Sequence, residues 1–237
     1  MTNLLILQAR MTSTRLPGKV LMKLGKLSVM EWMFRFGKGI SLIDKICVAT
    51  PYGDAHKEIH EISKKCGIPV IEGPEQDVLR RFAIAARHFN ANNILRVTTD
   101  CPFADAEICN LVIKAMIDGA YDYACNNMPP SFPHGLDCEV FTRETLELAD
   151  KFATEAYDRE HVTPWIRRNE DFRKFNKEGP GGEYVKWRVT LDTPKDFEML
   201  TVIEAELGGR APSFEMLNDI LINKPNILEI NSESQQR

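Results

Sequence analysis

The densest group of chemically useful side chains follows the first apolar run of the chain. Between Gln8 and Lys19 lie three cations and three hydroxyls: Arg10, Arg15, Lys19, Thr12, Ser13 and Thr14. Pro17-Gly18 supplies a turn that lets the backbone approach a ligand. Such a loop at the carboxyl end of a parallel strand suits a polyphosphate, because cations and backbone N–H groups offset its charge. A solvated basic turn between a strand and a helix is the alternative.

Two aspartates at predicted strand ends could hold a metal ion. Asp100 follows one predicted strand within Thr98-Thr99-Asp100-Cys101-Pro102, and Asp192 follows another within Leu191-Asp192-Thr193-Pro194. Beside a triphosphate loop, two carboxylates could bind Mg²⁺ together with phosphate oxygens. Either aspartate could instead cap a helix, since a proline follows each of them within two residues.

The elements that position these residues alternate between strand and helix patterns, which predicts a parallel sheet with helices on both faces. Apolar runs predict strands at 4–7, 45–50, 68–72, 93–98, 121–125, 138–141, 172–176 and 184–191. Helical periodicity predicts helices at 28–36, 54–65 (capped by Asp54), 75–89, 107–117, 143–153, 155–168, 196–206 and 214–222. The last two strands could pair antiparallel. We therefore expect one α/β domain over 1–237, with a protruding β segment in the second half.

Composition excludes several classes of protein. The chain has 237 residues, of which 43% are hydrophobic and 27% charged, as in an ordinary soluble globular protein. Its formal net charge of -4 does not favour bulk attraction to nucleic acid or to an anionic membrane. No apolar run is long enough for a signal peptide or a bilayer span. The six cysteines lack metal-site spacing, which predicts buried reduced thiols and a cytoplasmic location.

Taken together, several segments resemble the cytidylyltransferases that activate sugars as CMP conjugates. The resemblance is closest to the branch named after spore coat polysaccharide biosynthesis protein F, and more distant to the CMP-Kdo synthetases and acylneuraminate cytidylyltransferases. The matching segments are Gln8–Leu21, Glu72–Phe82, Arg96–Ala104, Pro133–Phe141, Glu155–Ile166 and Arg188–Phe197.

This resemblance implies a nucleotide-diphospho-sugar transferase fold, which is a three-layer α/β/α sandwich with a mostly parallel sheet. It implies a transfer of CMP from CTP to a sugar, with Mg²⁺ as cofactor and pyrophosphate as the second product. The sugar would be acidic, the pathway would make a surface polysaccharide or glycan, and the enzyme would be a homodimer. The CMP-Kdo synthetases carry Gln-Gly-Asp-Glu-Pro where this chain has Thr98–Pro102, so the sugar specificity does not carry over.

The resemblance also implies roles for individual residues. The catalytic set is Arg10, Lys19, Asp100 and Asp192, with the two aspartates holding the metal. The nucleotide-binding set is Gln8, Ala9, Arg10, Ser13, Arg15, Lys19, Gly73, Asp77 and Arg80. Asp77 could equally cap the helix that begins at Val78, and one of Arg80 and Arg81 would face the site while the other faces solvent.

The acceptor sugar is assigned to two polar clusters in the second half. These are His134, Asp137 and Glu139 in one turn, and Glu160 with His161 in a helical pattern. For the second cluster the alternative is a core histidine, with the glutamate paired to a helix neighbour, Arg159 or Arg167. Arg188 is the candidate partner for an acceptor carboxylate, alongside the same two arginines.

Two other functions remain open at this stage. A glycosyltransferase that uses a nucleotide sugar can share the fold, but such enzymes commonly carry an Asp-x-Asp motif, and here Asp122 stands alone in Tyr121-Asp122-Tyr123. A nucleotide-binding protein without turnover would lack one of the loop cations or carboxylates. All four residues of the catalytic set are present.

Overall fold

A computed structural model describes residues 1–234. The nine strands within that range are β1 (Asn3–Gln8), β2 (Lys23–Leu24), β3 (Leu27–Ser28), β4 (Lys45–Pro51), β5 (Val70–Gly73), β6 (Asn93–Thr98), β7 (Tyr123–Cys125), β8 (Glu139–Thr142) and β9 (Lys174–Asn176). Seven of them form one sheet in the order β5-β4-β1-β6-β8-β7-β9, while β2 and β3 form a separate antiparallel pair.

The centre of the large sheet is parallel. β1 pairs in parallel with β4 on one side and with β6 on the other, so that Leu7 lies between Val48 and Val97. β5 continues the parallel set beyond β4, whereas β8 runs antiparallel to both β6 and β7. The carboxyl ends of four neighbouring strands therefore share one edge of the sheet, which is where ligands bind in open α/β sheets.

Helices cover both faces of this sheet. They are α1 (Val29–Gly39), α2 (Lys57–Lys65), α3 (Val78–His88), α4 (Ala106–Gly119), α5 (Arg143–Phe152), α6 (Ala156–His161), α7 (Pro164–Arg168), α8 (Pro194–Leu207) and α9 (Phe214–Asn223). Alternating residues of β1 belong to two hydrophobic cores, one on each face of the sheet. Leu5 and Leu7 lie in the same core as Trp32, and Leu4 and Ile6 lie in the same core as Phe82. The predicted three-layer α/β/α architecture with a mostly parallel sheet is confirmed.

Side-chain caps explain where several helices begin. Ser28 and Glu31 form a reciprocal capping box at α1, and Thr193 with Asp196 forms another at α8, where Pro194 takes the first helical position. Thr193 is therefore the capping residue of α8, next to Asp192. In the same way Asp105 caps α4. Neither Asp100 nor Asp192 occupies an N-cap position of a described helix, so neither carboxylate is used in helix capping there.

Several predicted features of the secondary structure were wrong. Residues 184–191 form no described strand, because Gly182–Lys186 coil into a 3₁₀ turn, after which only Arg188 bridges to His134. β9 instead pairs in parallel with β7, and the described strands of the second half extend the central sheet rather than protruding from it. The cap predicted at Asp54 opens a 3₁₀ turn, Asp54–His56, that precedes α2.

The helix predicted over 155–168 is two short helices, because the chain breaks at Val162. This residue has φ 72° and ψ -53°, and Thr163 N donates to His161 O at 2.8 Å, which closes a tight three-residue turn. A β-branched residue at positive φ is uncommon and strained. Pro164 enforces the break, since proline has no N–H to continue the helical hydrogen bonds.

The cysteine prediction is confirmed, whereas other expectations stay predictions. All six cysteines are free thiols, and every one except Cys66 is buried. In residues 1–234, no helix combines the length and apolarity that a membrane crossing requires. The homodimer, the cytoplasmic location and the absence of a nucleic-acid partner stay predictions.

The capping box at α1 gives a stability test. Ser28→Ala removes the oxygen that accepts from Glu31 N, so we expect a loss of about 1 kcal/mol in the free energy of unfolding, measured by urea titration. Ser41→Ala, in an exposed turn, is the control and should stay within about 0.5 kcal/mol of wild type. Equal losses in both variants would contradict the capping role.

Candidate active site

A polar cleft of about 270 Å³ opens at the carboxyl edge of the sheet, above the ends of β1 and β6. Its lining residues are Gln8, Ala9, Arg10, Ser13, Thr14, Arg15, Lys19, Glu75, Gln76, Val78, Arg81, Arg96, Thr98, Thr99, Asp100, Glu160, His161 and Asp192. The cleft therefore gathers the basic loop and both candidate metal ligands from segments far apart in sequence.

The basic loop is held by hydrogen bonds at several points. Gly18 N donates to Met11 O at 3.0 Å, which closes the loop on itself, and Met11 N donates to His56 Nδ1 at 3.2 Å. Gly18 adopts φ 69°, a left-handed conformation that suits glycine, and this turns the chain into the 3₁₀ turn that starts at Lys19. Burial lowers the pKa of His56, which keeps its ring neutral and able to accept this bond. The loop is therefore fixed while its cations face the cleft.

Lys19 joins the basic loop to both aspartates. Its Nζ lies 3.0 Å from Asp192 Oδ1 and 3.5 Å from Asp100 Oδ2, and it donates to Leu191 O at 2.8 Å. Arg15, which is mostly exposed, also reaches Asp192 Oδ1 at 2.9 Å. One ammonium group thus contacts two carboxylates that the sequence places 92 positions apart.

Backbone and buried side chains set the position of Asp192. Leu191 N donates to Asp100 O at 2.7 Å, which aligns the two aspartate segments. Arg188 contacts Asp192 Oδ2 at 2.7 Å and also pairs with Asp196, which Asn231 supports. Burial alone would raise the pKa of Asp192, but Lys19, Arg188 and Arg15 outweigh burial and lower it. Asp192 is therefore a fixed, ionised ligand group.

Arg81 supplies a cation on the opposite side of the cleft. It is buried, and its Nη1 donates to Pro74 O and Glu75 O. Burial and the nearby Arg10 guanidinium lower the pKa of Arg81 to about 10. Gly73 makes room for it, since a Cβ at that position would lie 2.7 Å from Arg81 Cγ. Two guanidinium groups facing one space are arranged to receive an anion.

The predicted residues of the 73–81 segment are placed differently. Arg80 is exposed and pairs with Asp150 outside the cleft, because the sheet-facing side of α3 carries Arg81 rather than Arg80. Asp77 caps α3 and pairs with Arg159 at 2.6 Å. The structure therefore puts Arg80, Asp77 and Gly73 outside the described cleft lining.

The first acceptor cluster also lies away from the cleft lining. Glu139 is buried and bound by Arg96, Arg167 and Tyr123, while His134 contacts Arg188 and Asp137. Arg188 is buried behind Asp192 and acts on that carboxylate. Glu139 and Arg188 are thus buried, whereas His134 and Asp137 are partly exposed but are not among the described lining residues.

The second acceptor cluster does line the cleft. Glu160 and His161 end α6 at the strained turn around Val162 and stand exposed at the rim. His161 packs against Tyr157 with ring centroids 4.4 Å apart, so it is not a core histidine. The proposed helix partners are engaged elsewhere, since Arg159 pairs with Asp77 and Asp150 and Arg167 pairs with Glu139.

Three buried polar atoms among the cleft residues have no hydrogen-bond partner in the described part of the chain. They are Gln8 Oε1, Arg81 Nε and Arg96 Nε. Unsatisfied buried groups are rare, because each costs about 1–3 kcal/mol, and their concentration at one cleft points to a polar ligand. Arg96 was not among the residues predicted from the sequence. It lies inside a strand, where alternate side chains point to opposite faces, so a charged residue there would be assigned to an exposed face.

The donor set at the bottom of the cleft fits Mg²⁺. Within residues 1–234, no group of three or more His, Cys, Asp and Glu side chains forms a metal site, so the protein offers two carboxylates, Asp100 and Asp192. Mg²⁺ is commonly held by one or two carboxylates, with phosphate oxygens and water completing its octahedron. Lys19 Nζ contacts both carboxylates, which places an oxygen of each around one cationic group.

A mostly parallel sheet that carries at its carboxyl edge a cationic loop, one aspartate after β6 and one just before α8 is the arrangement of a nucleotidyltransferase. The chain belongs to the cytidylyltransferase family, whose model matches residues 4–208. It is therefore a nucleotidyltransferase of the class that uses CTP, and the family resemblance seen in the sequence is confirmed.

Three relatives place the chain further. It is 31% identical over 214 residues to spore coat polysaccharide biosynthesis protein SpsF of Bacillus subtilis (strain 168), covering 87% of this chain and 88% of that protein. A cytidylyltransferase structure from Leptospira borgpetersenii serovar Hardjo-bovis (strain JB197) superposes with a TM-score of 0.91 at 30% identity, covering 96% and 97% of the two chains. CMP:2-keto-3-deoxy-manno-octonic acid synthetase, solved with CTP, shares the fold with a TM-score of 0.66 at 15% identity, covering 86% and 99%.

The buried ion cluster beside the cleft gives a pH prediction. Burial would raise the pKa of Glu139, but Arg96 and Arg167 lower it from 4.5 to about 2. A carboxylate with a depressed folded-state pKa stabilises the fold above its unfolded pKa, and this contribution is lost as pH falls through the folded pKa. We therefore expect the stability difference between wild type and Glu139→Gln to shrink between about pH 4.5 and about pH 2.

Urea unfolding at about pH 6 and about pH 3 measures this difference. Glu144→Gln, at an exposed position of α5, is the control and should show a small difference at both pH values. A difference for Glu139→Gln that stays constant between the two pH values would contradict the ionised cluster.

Proposed function

We propose that this protein transfers CMP from CTP to an acidic sugar, with Mg²⁺ as cofactor, in the synthesis of a polysaccharide or glycan. The observation that carries the proposal is the contact of Lys19 with both Asp100 and Asp192 at the mouth of the basic loop. A phosphate-binding loop and two metal-binding carboxylates are the parts that nucleotidyl transfer requires.

In the proposed reaction a sugar hydroxyl oxygen forms a bond to the α-phosphorus of CTP, and the bond from that phosphorus to the β-phosphate oxygen breaks. The leaving pyrophosphate takes the bonding electrons, and the hydroxyl proton passes to pyrophosphate or water. Little covalent chemistry is asked of the protein, so its residues act by positioning and charge neutralisation. Arg10, Arg15 and Lys19 would stabilise the charge that develops on the departing phosphates.

Asp100 and Asp192 would hold Mg²⁺, which when bound withdraws charge from the phosphate oxygens. Arg188 would keep Asp192 ionised and oriented, as its 2.7 Å contact supports. Arg81 and Gln8 would take the nucleotide, since each carries a buried polar atom without a described partner on the loop side of the cleft.

Two features support an acidic sugar as the acceptor. CMP:2-keto-3-deoxy-manno-octonic acid synthetase, a structural neighbour, is named for an acid acceptor. The cleft also holds more cationic groups than the basic loop supplies, since Arg81 and Arg96 line it as well. The relationship to SpsF supports a place in polysaccharide synthesis.

Pyrophosphate release tests the proposal. The enzyme is given Mg²⁺ with CTP, UTP, ATP or GTP in turn, against acidic and neutral sugars. We expect release only with CTP and an acidic sugar. Release with another nucleotide would contradict the base assignment, and CTP binding without release for any sugar would favour a protein without turnover.

Asp100→Asn tests the metal assignment. The substitution keeps the shape of the side chain and removes its charge, so we expect kcat to fall about a hundredfold or more. Asp118→Asn, at a surface ion pair with Lys114 on α4, is the matched control and should keep the wild-type rate. A rate for Asp100→Asn within a few-fold of wild type would refute the assignment.

Arg80 and Arg81 form a natural control pair on one helix. Arg81→Leu removes a buried guanidinium that lines the cleft, so we expect CTP binding measured by calorimetry to weaken about 10- to 100-fold. Arg80→Leu removes an exposed guanidinium that faces Asp150 and should leave CTP affinity within about twofold. The opposite order would restore Arg80 as the nucleotide-binding residue.

A further inference from the structure

Behind the rim formed by α6, the cleft has a second cationic end. Arg96 lies on β6 and lines the cleft, and its Nη1 contacts Glu139 of the neighbouring strand β8 at 2.5 Å. Arg167 binds the same carboxylate, with Nη2 at 2.7 Å from Oε1. Two guanidinium groups therefore share one buried carboxylate.

Because two arginines share one carboxylate, the group of Arg96, Arg167 and Glu139 has a net charge of one positive unit. Tyr123 donates a hydrogen bond to Glu139 at 2.6 Å, and Arg167 Nη2 donates to Asn127 Oδ1 at 2.7 Å, so neither of these neutral partners balances it. Arg96 Nε is buried and has no hydrogen-bond partner among the described residues. Of the two arginines only Arg96 lines the cleft, so the surplus charge is available to a ligand there.

The nucleotide end of the cleft lies elsewhere. Arg81 sits over Gly73 of β5, whereas Arg96 is on β6, and β4 and β1 lie between those strands. Three strand spacings of about 4.8 Å separate β5 from β6, which is roughly 14 Å along the sheet edge. The phosphate loop follows β1 and sits between them. Arg96 is therefore suited to bind a second anionic group, on the side of the reaction centre that is far from Arg81.

We propose that Arg96 binds the carboxylate of the acceptor sugar and so selects acidic over neutral sugars. This inference rests on the proposed CMP transfer. Arg96 and a carboxylate can form two parallel charge-assisted hydrogen bonds, and Glu139 pins the guanidinium in place for them. Glu160 and His161 at the rim then face the sugar hydroxyls. The sequence suggested three other arginines for this role, but none of them is among the described lining residues, and each is bound to a carboxylate: Arg188, Arg159 and Arg167.

The test compares two arginines that share one partner. Arg96→Leu and Arg167→Leu each leave Glu139 with one guanidinium, so both perturb the buried cluster, but only Arg96→Leu removes a group from the cleft. Pyrophosphate release is measured at saturating CTP and Mg²⁺ with a 2-keto-3-deoxy sugar acid and with its methyl ester, and CTP affinity is measured by calorimetry.

We expect wild type to favour the acid over its ester. Arg96→Leu should raise KM for the acid about 10- to 100-fold and abolish that preference, while CTP affinity stays within about twofold. Arg167→Leu should keep the preference, and Arg96→Lys should restore part of it because it returns the charge without the fork.

Three results would overturn the inference while CMP transfer stands. The first is a wild-type enzyme that uses acid and ester equally, and the second is an Arg96→Leu variant that loses CTP affinity instead of acceptor affinity. Equal losses in Arg96→Leu and Arg167→Leu would also overturn it, since they would show a role for the cluster in folding only. Failure of the proposed function is recognised separately, because no sugar would then release pyrophosphate in wild type.

Discussion

The parallel pairing of β1 with β4 and β6 is the constraint on which the cleft depends. Because the three strands point the same way, the loop after β1 and the aspartate after β6 emerge side by side. A reversal of β6 would put Asp100 at the opposite end of the sheet from Lys19. The antiparallel strand β8 pairs with β6 and places Glu139 opposite Arg96.

Charge is balanced locally rather than across the cleft as a whole. Asp192 contacts Lys19, Arg15 and Arg188, so this carboxylate, which we propose as a metal ligand, is neutralised before any ligand arrives. Arg81 and Arg96, in contrast, keep polar atoms without partners in the described structure. Ligand binding in this site therefore exchanges partners at its acidic centre and supplies missing partners at its two basic ends. Because the carboxylates are paired at the centre and the two arginines lie at the ends, cations and carboxylates can occupy one small cleft without all of them pairing with each other.

The sequence predicted the fold and the centre of the site because both depend on short, regular signals. Buried strands of the parallel sheet are continuous apolar runs; Asp100 lies just after one of them, and Lys19 ends the loop that follows another. The acceptor side was less predictable. Whether Arg80 or Arg81 faces the cleft depends on the helix phase set by the cap at Asp77, and Glu139 is buried only because Arg96 and Arg167 converge on it from two other elements. The break at Val162, in contrast, has a signal in the sequence, because Pro164 has no N–H with which to continue the helix.

The contact between Lys19 and Asp192 joins positions 173 residues apart. Closing so long a loop costs entropy that only the completed sheet and helix α8 can offset, so this contact belongs among the late events of folding. A chain growing from the ribosome would already contain its basic loop, its first strands and Asp100, yet Lys19 could not contact Asp192 until Asp192 had emerged. The cleft is thus complete only when the C-terminal part of the chain has folded, and nucleotide binding would indicate that the whole sheet has formed.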